Sequence, residues 1–342
     1  MKNDSKAINW LGAKYFFSIL LPPLVLQIVI SIIVFYIEAE SHNIIFEEIE
    51  LNQVKQISKS MANDFNVALS SLIFLADQHE LQRLLDGDFT EKKDLNEMIL
   101  SFSKMFGLFD QIRYLDETGM EIVRINFNKS RPKVVPENQL QSKAKRYYFK
   151  DTMRLERGEV YVSSFDLNVE KGEIEQPLKP MIRFGTPVFD KKGKKRGVII
   201  LNYFGAKLLS NLDQYSTLTS GNLSLLNSQG FWLKGPSPEY EWGFMYEDRK
   251  NTATFGNLYS DSWLMMKSTF SGQFSTIDGM FTFTTIYPLA EASKSIIGLK
   301  RTYESSSVRL EDISYYWKIV SHVTPDVLNI RAIASKNQAL ML

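Results

Sequence analysis

Arginine, tyrosine and amide side chains are concentrated between Arg146 and Tyr203, in a pattern that suits the binding of a small molecule. Either Arg146 or Arg183 can clamp a carboxylate through two parallel hydrogen bonds. Tyr147 or Tyr148 can stack on a ligand or form a hydrogen bond with it. The candidate contacts are Arg146, Tyr147, Tyr148, Tyr161, Ser163, Asp166, Asn168, Arg183, Asn202 and Tyr203.

The same residues also suit a purely structural role. In that interpretation the aromatic rings belong to the core, and the arginines pair with acids such as Asp151 or Asp166. Buried charges are usually paired, so residue types alone leave both interpretations open.

Catalytic chemistry has little support in the sequence. The three histidines, His42, His79 and His322, are far apart, and no Gly-x-Ser-x-Gly or His-x-x-x-His motif occurs. The acidic runs Glu47–Glu48 and 170–175 are typical of solvated faces and loops. The chain has no cysteine, which excludes disulfides, thiolate nucleophiles and thiolate metal ligands. We therefore expect no catalytic residues, no metal site and no cofactor.

The charge of the chain is balanced, with 40 basic and 39 acidic residues among 342. The basic residues are scattered and form no basic face interleaved with aromatics, so we expect no nucleic-acid partner. The length allows two domains, each with a core of its own.

The segment Tyr15–Ile37 contains no charged residue over 23 positions, which is enough to span the roughly 30 Å of hydrocarbon in a bilayer. Lysines precede it, and Glu38 and Glu40 follow it. The positive-inside rule then places residues 1–14 in the cytoplasm and the rest outside. A cleaved signal peptide is disfavoured, because the apolar run is too long and Ile-Glu-Ala-Glu is a poor cleavage site. We expect a membrane anchor with the main domain outside the cytoplasm, which for the bacterial receptors that a later segment resembles means the inner membrane and the periplasm.

A long helix is predicted over Ser41–Leu85, because apolar residues recur at steps of three and four. They are Leu51, Val54, Ile57, Met61, Phe65, Ala68, Leu72 and Leu75. This stripe pairs either with a second copy in a homodimer or with the helix's own domain. Gly87 is expected to end the helix. A second helix over Glu91–Met105, with Thr90 as its N-cap, completes a helical region at residues 38–105.

Four hairpins with similar turns follow this helical region. Their turns are Asp116–Gly119, Asp190–Gly193, Asn227–Gly230 and Asp278–Gly279, each flanked by apolar strands. Two hairpins precede Asn211 and two follow it, which predicts tandem modules at residues 106–210 and 211–325. Tyr315–Val323 is expected to close the second module, and residues 326–342 to form a helix that leads toward a second membrane span.

Between Tyr147 and Gly205 the predicted order is helix, strand, long loop, strand, turn, strand. There the sequence VSSFDLNVEKGEIEQPLKPMIRFGTPVFDKKGKKRGVIILNY resembles the double-Cache (tandem PAS-like) ectodomains of bacterial transmembrane receptors. It is similar in particular to those of LuxQ-type hybrid kinases and related diguanylate cyclases. Later cues are WGFM, GQF and MFTFTTIYPL. The resemblance covers residues 40–330 and implies an α+β fold with a transmembrane helix, a long extracytoplasmic helix and two tandem PAS-like antiparallel modules.

The resemblance also bears on the ligand. Amino-acid-binding double-Cache domains carry Arg-x-Trp-Tyr on the helix and an Asp at a later strand end. Here Arg146 matches the arginine, Tyr148 and Phe149 replace the aromatic pair, and Asn202 stands where the Asp would be. A neutral amide makes a weaker contact with an ammonium group, which argues against an amino acid or amine. A carboxylate, a neutral ligand or no small ligand remains open, and the likeness to LuxQ-type receptors implies a periplasmic binding protein as a further candidate partner.

The sequence therefore predicts the sensory region of a bacterial transmembrane receptor. It would bind a small ligand or a periplasmic protein at the membrane-distal module and transmit the signal by motion of the long helix. We expect the output domain, a histidine kinase or diguanylate cyclase, to lie outside this sequence. The alternatives are a membrane-anchored scaffold without signalling output and an enzyme with an unrecognised cleft.

Overall fold

The computed structural model describes residues 4–128, 130–170, 172–288 and 315–339. Eight α-helices are formed within these ranges. They are α1 Asp4–Ala76, α2 His79–Leu85, α3 Lys92–Phe106, α4 Tyr147–Met153, α5 Gly205–Tyr215, α6 Phe255–Leu258, α7 Ser260–Met266 and α8 Pro325–Ala339. Short 3-10 turns occur at Phe89–Glu91, Glu137–Gln139 and Gly243–Met245.

In the described part of the chain, fourteen strands form two large antiparallel sheets and one small hairpin. They are β1 Phe109–Asp116, β2 Glu121–Asn126, β3 Lys133–Val134, β4 Tyr161–Val162, β5 Asp166–Leu167, β6 Val169–Glu170, β7 Glu173–Ile174, β8 Pro180–Phe189, β9 Lys195–Phe204, β10 Asn222–Asn227, β11 Trp232–Lys234, β12 Ser271–Thr276, β13 Gly279–Ile286 and β14 Trp317–Val323.

The two sheets share one strand order. The first runs β3-β2-β1-β9-β8-β4, with β5 also paired to β8, and the second runs β11-β10-β14-β13-β12. When the central strands of each sheet are numbered along the chain, both read 2-1-5-4-3. This confirms the α+β prediction of two tandem antiparallel modules. The predicted boundary at 210/211 falls inside α5, and residues 289–314 of the second module lie outside the described residues.

All four predicted hairpins are present, and three of their turns use the same local device. In each, the first side chain of the turn accepts two backbone N–H groups, those of the residues two and four positions on. Asp116 accepts at 2.9 and 2.9 Å, Asp190 at 3.0 and 2.9 Å, and Asn227 at 3.0 and 2.9 Å. Asx side chains that bond their own backbone in this way specify turns locally, which is why the sequence pattern was informative.

Helix α1 continues without interruption from the apolar segment into the part that packs against the two sheets, and by length and composition it can cross a membrane. Its apolar side chains are exposed in the span, as at Ile19 (74%) and Leu26 (60%). The predicted single helix to Leu85 is wrong, because α1 ends at Ala76 and α2 starts at His79. Gln78 adopts an extended conformation and its side-chain amide donates to the carbonyl of Phe74 at 2.7 Å.

The region after α2 differs in detail from the prediction. Gly87 has φ +103° and follows the end of α2, as expected for a C-terminal glycine. Thr90 is not the N-cap of α3, which begins at Lys92 after the 3-10 turn. The cap of that turn is Asp88, whose carboxylate accepts from the Thr90 backbone N–H at 3.2 Å and from its hydroxyl at 2.5 Å. Asp88 therefore provides the N-terminal cap in place of Thr90.

The apolar stripe of α1 from Leu51 to Leu75 packs against the helix's own modules. Val54, Met61, Ala68 and Leu72 are fully buried there. The interpretation in which this stripe forms the homodimer contact is therefore wrong, and the alternative of packing within the domain is what the structure shows. Because α1 packs against the sheets of both modules, it is a support that the two modules share.

Aromatic rings join the two modules and α1 in one core. Phe65 of α1 lies 5.9 Å from Phe184 of the first sheet and 5.0 Å from Trp317 of the second, between ring centroids. Phe165, which precedes β5, contacts Trp242 at 5.1 Å and Trp317 at 5.4 Å. Aromatic pairs at these distances bury large areas and pack in fixed geometries.

Candidate functional site

Helix α4 covers one face of the first sheet, and the candidate site lies beneath it. Strand pairing aligns Arg183 of β8 with Asn202 of β9, and Asn202 with Gln111 of β1. Residues opposite each other share a face, so this row points toward α4. The helix approaches closely because Gly185 has no side chain: a Cβ there would lie 2.5 Å from the Thr152 hydroxyl.

Arg183 is the centre of a buried hydrogen-bond network. Its guanidinium donates to Asp166 at 2.9 Å, to the side-chain carbonyl of Asn168 at 3.0 Å and to the Tyr147 hydroxyl at 3.2 Å. The Tyr147 hydroxyl in turn donates to Asp166 at 3.2 Å, and the backbone N–H of Arg183 donates to the Ser163 hydroxyl at 2.9 Å. The side chain of Arg183 is only 4% exposed. The pairing with Asp166 considered from the sequence is therefore present.

Three guanidinium groups surround the ring of Tyr148, which is buried on α4. Their central carbons lie 5.6 Å (Arg183), 5.9 Å (Arg113) and 5.9 Å (Arg146) from the ring centroid. These distances are within the range of cation–π attraction. Arg113 also donates to the Tyr148 hydroxyl at 3.0 Å. Arg146, by contrast, is exposed and makes no ion pair within 4 Å among the described residues.

Arg113 leads to a second buried acid that sequence reasoning missed. The carboxylate of Glu121, on β2, is fully buried and lies 3.5 Å from Arg113, 3.5 Å from Arg124 and 3.9 Å from Lys143. Glu121 also accepts the Gln141 backbone N–H at 3.0 Å. The signal available in the sequence was Arg113, a charged residue between Ile112 and Tyr114 in the predicted strand Gln111–Leu115.

The site carries more positive than negative charge. Around the Tyr148 ring and the Glu121 carboxylate, five cationic side chains lie close to two carboxylates. The cations are Arg113, Arg124, Lys143, Arg146 and Arg183, and the carboxylates are those of Glu121 and Asp166. Asp151, further along α4, pairs with Arg154. This balance favours an anionic ligand.

Burial shifts the ionisation of several of these groups. Burial raises the pKa of Asp166, although the neighbouring Arg183 acts to lower it. For Arg183 burial acts to lower the pKa, but the charge of Asp166 raises it. Burial raises the pKa of Tyr147 to about 12. Burial, and then the neighbouring Arg113, lowers the pKa of Lys143. Neighbouring positive charges disfavour one another's charged forms here, and a bound anion would reduce this repulsion.

Three buried polar atoms of the site have no hydrogen-bond partner among the described protein atoms: the side-chain carbonyl oxygen of Asn202, Nε of Arg113 and Oε1 of Glu121. The last two face each other in the ion pair at 3.5 Å. The Asn202 amide reaches Gln111 only at 3.5 Å. Buried polar atoms are rarely left without a partner, so the Asn202 oxygen is positioned for a ligand or water.

The remaining candidates divide between the two faces of the sheet. Tyr161 pairs with Gly185 on the face covered by α4 and packs with Tyr148. Tyr203 lies on the opposite face, where its ring is 6.1 Å from Phe109 and 6.2 Å from Phe184. Nine of the ten candidates are thus brought together, and Tyr203 belongs to the core facing α1.

Among the described residues no three histidine, aspartate or glutamate side chains are grouped to hold a metal ion. His322 instead contacts the backbone carbonyl of Asp278 at 2.7 Å and stacks on Phe281 at 4.3 Å.

The fold of two tandem antiparallel modules on a long helix is that of bacterial sensory domains. The structure superposes on a domain from Vibrio parahaemolyticus assigned to the sensory box/GGDEF family, with TM-score 0.68 and 21% identity, covering 85% of this chain and 99% of that one. The extracellular domain of the histidine kinase vpHK1S-Z8 gives 0.66 and 20%, with 82% and 95% coverage. The periplasmic sensory domain of the Campylobacter jejuni chemoreceptor Tlp1 gives 0.53 and 13%, with 84% and 98% coverage.

These identities establish a shared fold. Residues 43–297 match the family model of the bacterial histidine kinase sensor domain, and this chain belongs to that family. No curated protein sequence matches the chain. The predicted sensor role and the predicted family resemblance are confirmed.

Proposed function

We propose that this sensor domain binds a small anionic ligand, with a carboxylate as the group recognised, under α4 of the first module. The observation that carries the proposal is the convergence of Arg113, Arg146 and Arg183 on the ring of Tyr148. Arg183 is already engaged by Asp166 and Arg113 by Glu121, so the exposed Arg146 is the group available to the anion. Charge-assisted bonds to a carboxylate would replace mutual repulsion between cations.

The carbonyl oxygen of Asn202, which has no hydrogen-bond partner among the described residues, adds a second requirement. It accepts hydrogen bonds and carries no charge, so it suits a hydroxyl or amide N–H of the ligand better than an ammonium group. A ligand with a carboxylate and a neutral donor a few ångströms away satisfies both features. Tyr147, which is 42% exposed and rests over the site, provides the entrance.

The membrane placement follows from α1. Its apolar segment would anchor the chain in the inner membrane, with the two modules in the periplasm. The second sheet packs on α1 around Phe46–Glu50, close to that segment, whereas the first sheet packs further along around Phe65. The anion site is thus in the membrane-distal module. Ligand binding would alter the packing of α1 and pass the signal to an output domain, which requires different affinities for two packings.

A ligand titration with paired variants tests the proposal. We expect small carboxylates to raise the melting temperature of the wild-type chain, and their neutral amides to have no effect. Arg146→Gln should weaken the carboxylate effect at least tenfold, whereas Lys150→Gln, which removes an exposed charge from the same helix, should leave it unchanged. If no carboxylate stabilises the chain, or if both variants lose the effect equally, the anion site is wrong.

A further inference from the structure

The hairpin formed by β12 and β13 carries an isoleucine at its tip. Thr276 pairs with Gly279, so Ile277 and Asp278 form the two-residue turn. The Ile277 side chain is 93% exposed, more than any other large apolar side chain that the structure describes. Two-residue turns favour glycine, asparagine and aspartate, so the turn itself does not require a β-branched apolar residue.

The three hairpins whose turns begin at Asp116, Asp190 and Asn227 have polar side chains at their tips. The central residues of these turns are Glu117 and Thr118, Lys191 and Lys192, and Ser228 and Gln229. A single exposed isoleucine is common on protein surfaces and by itself indicates no contact. The position of this tip in the molecule is what gives Ile277 its meaning.

The tip lies at the end of the second sheet that is nearest the apolar segment of α1. Strand β14 begins at Trp317, whose ring lies 5.0 Å from Phe65 of α1. It ends at Val323, which packs with Phe46, much closer to the apolar segment. Met280 of β13 pairs with Val323, and the two strands are antiparallel. The turn that precedes Met280 therefore extends beyond Val323, in the direction of the apolar segment.

The height of the tip above the apolar segment follows from regular helix and strand geometry. Phe46 is nine residues past Ile37, the last residue of that segment, so it lies about 14 Å beyond the segment's end at 1.5 Å per residue. Two strand steps of about 3.3 Å beyond Met280 place Ile277 roughly 7 Å nearer the segment than Phe46. Lipid headgroups extend about 5–8 Å beyond the hydrocarbon on each side of a bilayer. With α1 in a bilayer, the Ile277 side chain falls in the headgroup layer.

The charges near the tip indicate which lipids suit it. Asp278 lies in the turn, and Glu47 and Glu48 are exposed just after Phe46 on α1. Arg331 of α8 stacks on the Phe46 ring at 3.9 Å and offsets one of these three negative charges. Carboxylates repel an anionic lipid surface, whereas an apolar side chain gains free energy by leaving water whatever the charge of the headgroup. The surroundings of the tip therefore favour zwitterionic headgroups.

We propose that the tip of the β12–β13 hairpin contacts a zwitterionic lipid surface, with the Ile277 side chain among the headgroups. The contact rests on the membrane placement proposed for α1, and it is separate from the anion site of the first module. Attachment at two points, α1 and the tip, resists tilting of the second sheet relative to the bilayer.

The absence of cysteine allows one fluorophore to be attached at a chosen position of the full chain. The chain is reconstituted in phosphatidylcholine vesicles that contain a lipid with a nitroxide on its headgroup. Ser275→Cys carries the label on the hairpin, and Gln229→Cys carries it on an exposed turn at the opposite end of the same sheet. We expect the nitroxide to quench the Ser275→Cys label at least about fivefold more strongly than the Gln229→Cys label, because only the first is near the headgroups.

A change at the tip separates contact from mere proximity. Adding Ile277→Asp to Ser275→Cys should reduce the quenching at least about threefold, because a carboxylate prefers water, whereas Ile277→Leu should retain it. Because Ile277 is 93% exposed, both variants should melt close to the parent. Replacing part of the phosphatidylcholine by phosphatidylglycerol should weaken the quenching, because the acids near the tip are repelled.

A label at Glu40→Cys, three residues past the apolar segment, tests the membrane placement separately. Strong quenching there with equal quenching at Ser275→Cys and Gln229→Cys overturns the lipid contact and leaves the placement of α1 intact. No quenching at Glu40→Cys overturns the placement and the contact with it. Quenching that survives Ile277→Asp, quenching that requires anionic lipid, or a disulfide-linked dimer formed by Ile277→Cys would also overturn the contact.

Discussion

Replacing Arg183 by Met is expected to destabilise the first module by about 2–4 kcal/mol. The change removes three hydrogen bonds, to Asp166, Asn168 and Tyr147, and leaves the Asp166 carboxylate without its cation. Breaking a buried ion pair costs about 3–5 kcal/mol. The side chain of Asp166 is 20% exposed, so water can reach it and the expected value falls toward the lower end.

A double-mutant cycle separates the pair from the loss of packing. The fragment from residue 41 onward, unfolded in urea and followed by far-ultraviolet circular dichroism, provides the measurement. We expect Asp166→Leu to cost less in the Arg183→Met background than in the wild type, with a coupling energy of about 1.5–3 kcal/mol. A coupling energy below about 0.5 kcal/mol would refute the view that Arg183 is held by this acid.

The pH dependence gives an independent check. Burial raises the pKa of Asp166 above 3.8, its ordinary value, and removing Arg183 raises it further because an opposing cause is lost. A carboxyl whose folded pKa is raised stabilises the fold when it is protonated, and that stability is lost as the pH rises through the folded pKa. The destabilisation by Arg183→Met should therefore be larger at pH 7 than at pH 4, and a defect independent of pH would contradict this assignment.

Three further changes probe other parts of the fold. Glu50 is fully buried and accepts hydrogen bonds from the Ser220 backbone N–H at 2.5 Å and the Ser321 hydroxyl at 3.0 Å. Glu50→Leu should therefore lower the free energy of unfolding in urea by about 2–4 kcal/mol. The control Glu48→Leu, at an exposed position, should lower it by less than about 0.5 kcal/mol. Gly197→Ala, at φ +128°, would place a Cβ 2.0 Å from the Leu115 carbonyl oxygen and should abolish soluble folded protein, whereas Gly193→Ala, in open space, should cost only about 1–2 kcal/mol. Burial lowers the pKa of Lys318 from 10.5 to about 8, so between these pH values the unfolded chain binds more protons than the folded chain. The free energy of unfolding should therefore rise by up to about 3 kcal/mol between pH 8 and 10.5. Lys318→Met should remove that rise in thermal melts recorded across this range.

The parts of the fold that could be predicted from the sequence are those specified locally. The turns at Asp116, Asp190 and Asn227 each contain the side chain that forms them, so four residues are enough to recognise the hairpin. The apolar segment of α1 is equally local, because a bilayer responds to an unbroken run of apolar residues.

Long-range features escaped the sequence for a physical reason. Arg113 and Glu121 are close because β1 and β2 pair with an irregular register after Tyr114, which no residue pattern reveals. Tyr203 is one residue from Asn202, yet the alternation of strand side chains sends it to the other face. Periodicity identified an apolar stripe on α1, but it could not say whether that stripe meets a partner or the helix's own domain.

The proposed anion site and helix α1 are connected by side chains already in contact. Asp166, which holds Arg183, directly follows Phe165, whose ring lies against Trp317 and Trp242 of the second module. The Phe165 ring packs directly against Gly205, where an added Cβ would lie only 2.2 Å from the ring. The backbone N–H of Phe165 donates to the Tyr315 hydroxyl at 2.8 Å. The ring therefore has little room to shift alone.

Trp317 in turn contacts Phe65 of α1 at 5.0 Å, and its strand, β14, carries Ser321, which donates to the buried Glu50 of α1. Any rearrangement at Asp166 that moves Phe165 must therefore be accommodated by repacking of β14 against α1. Close-packed interfaces of this kind switch between discrete arrangements more readily than they deform continuously. The ligand would have to favour one of these arrangements, and its differential affinity for the two sets the upper limit on the signal that α1 can carry.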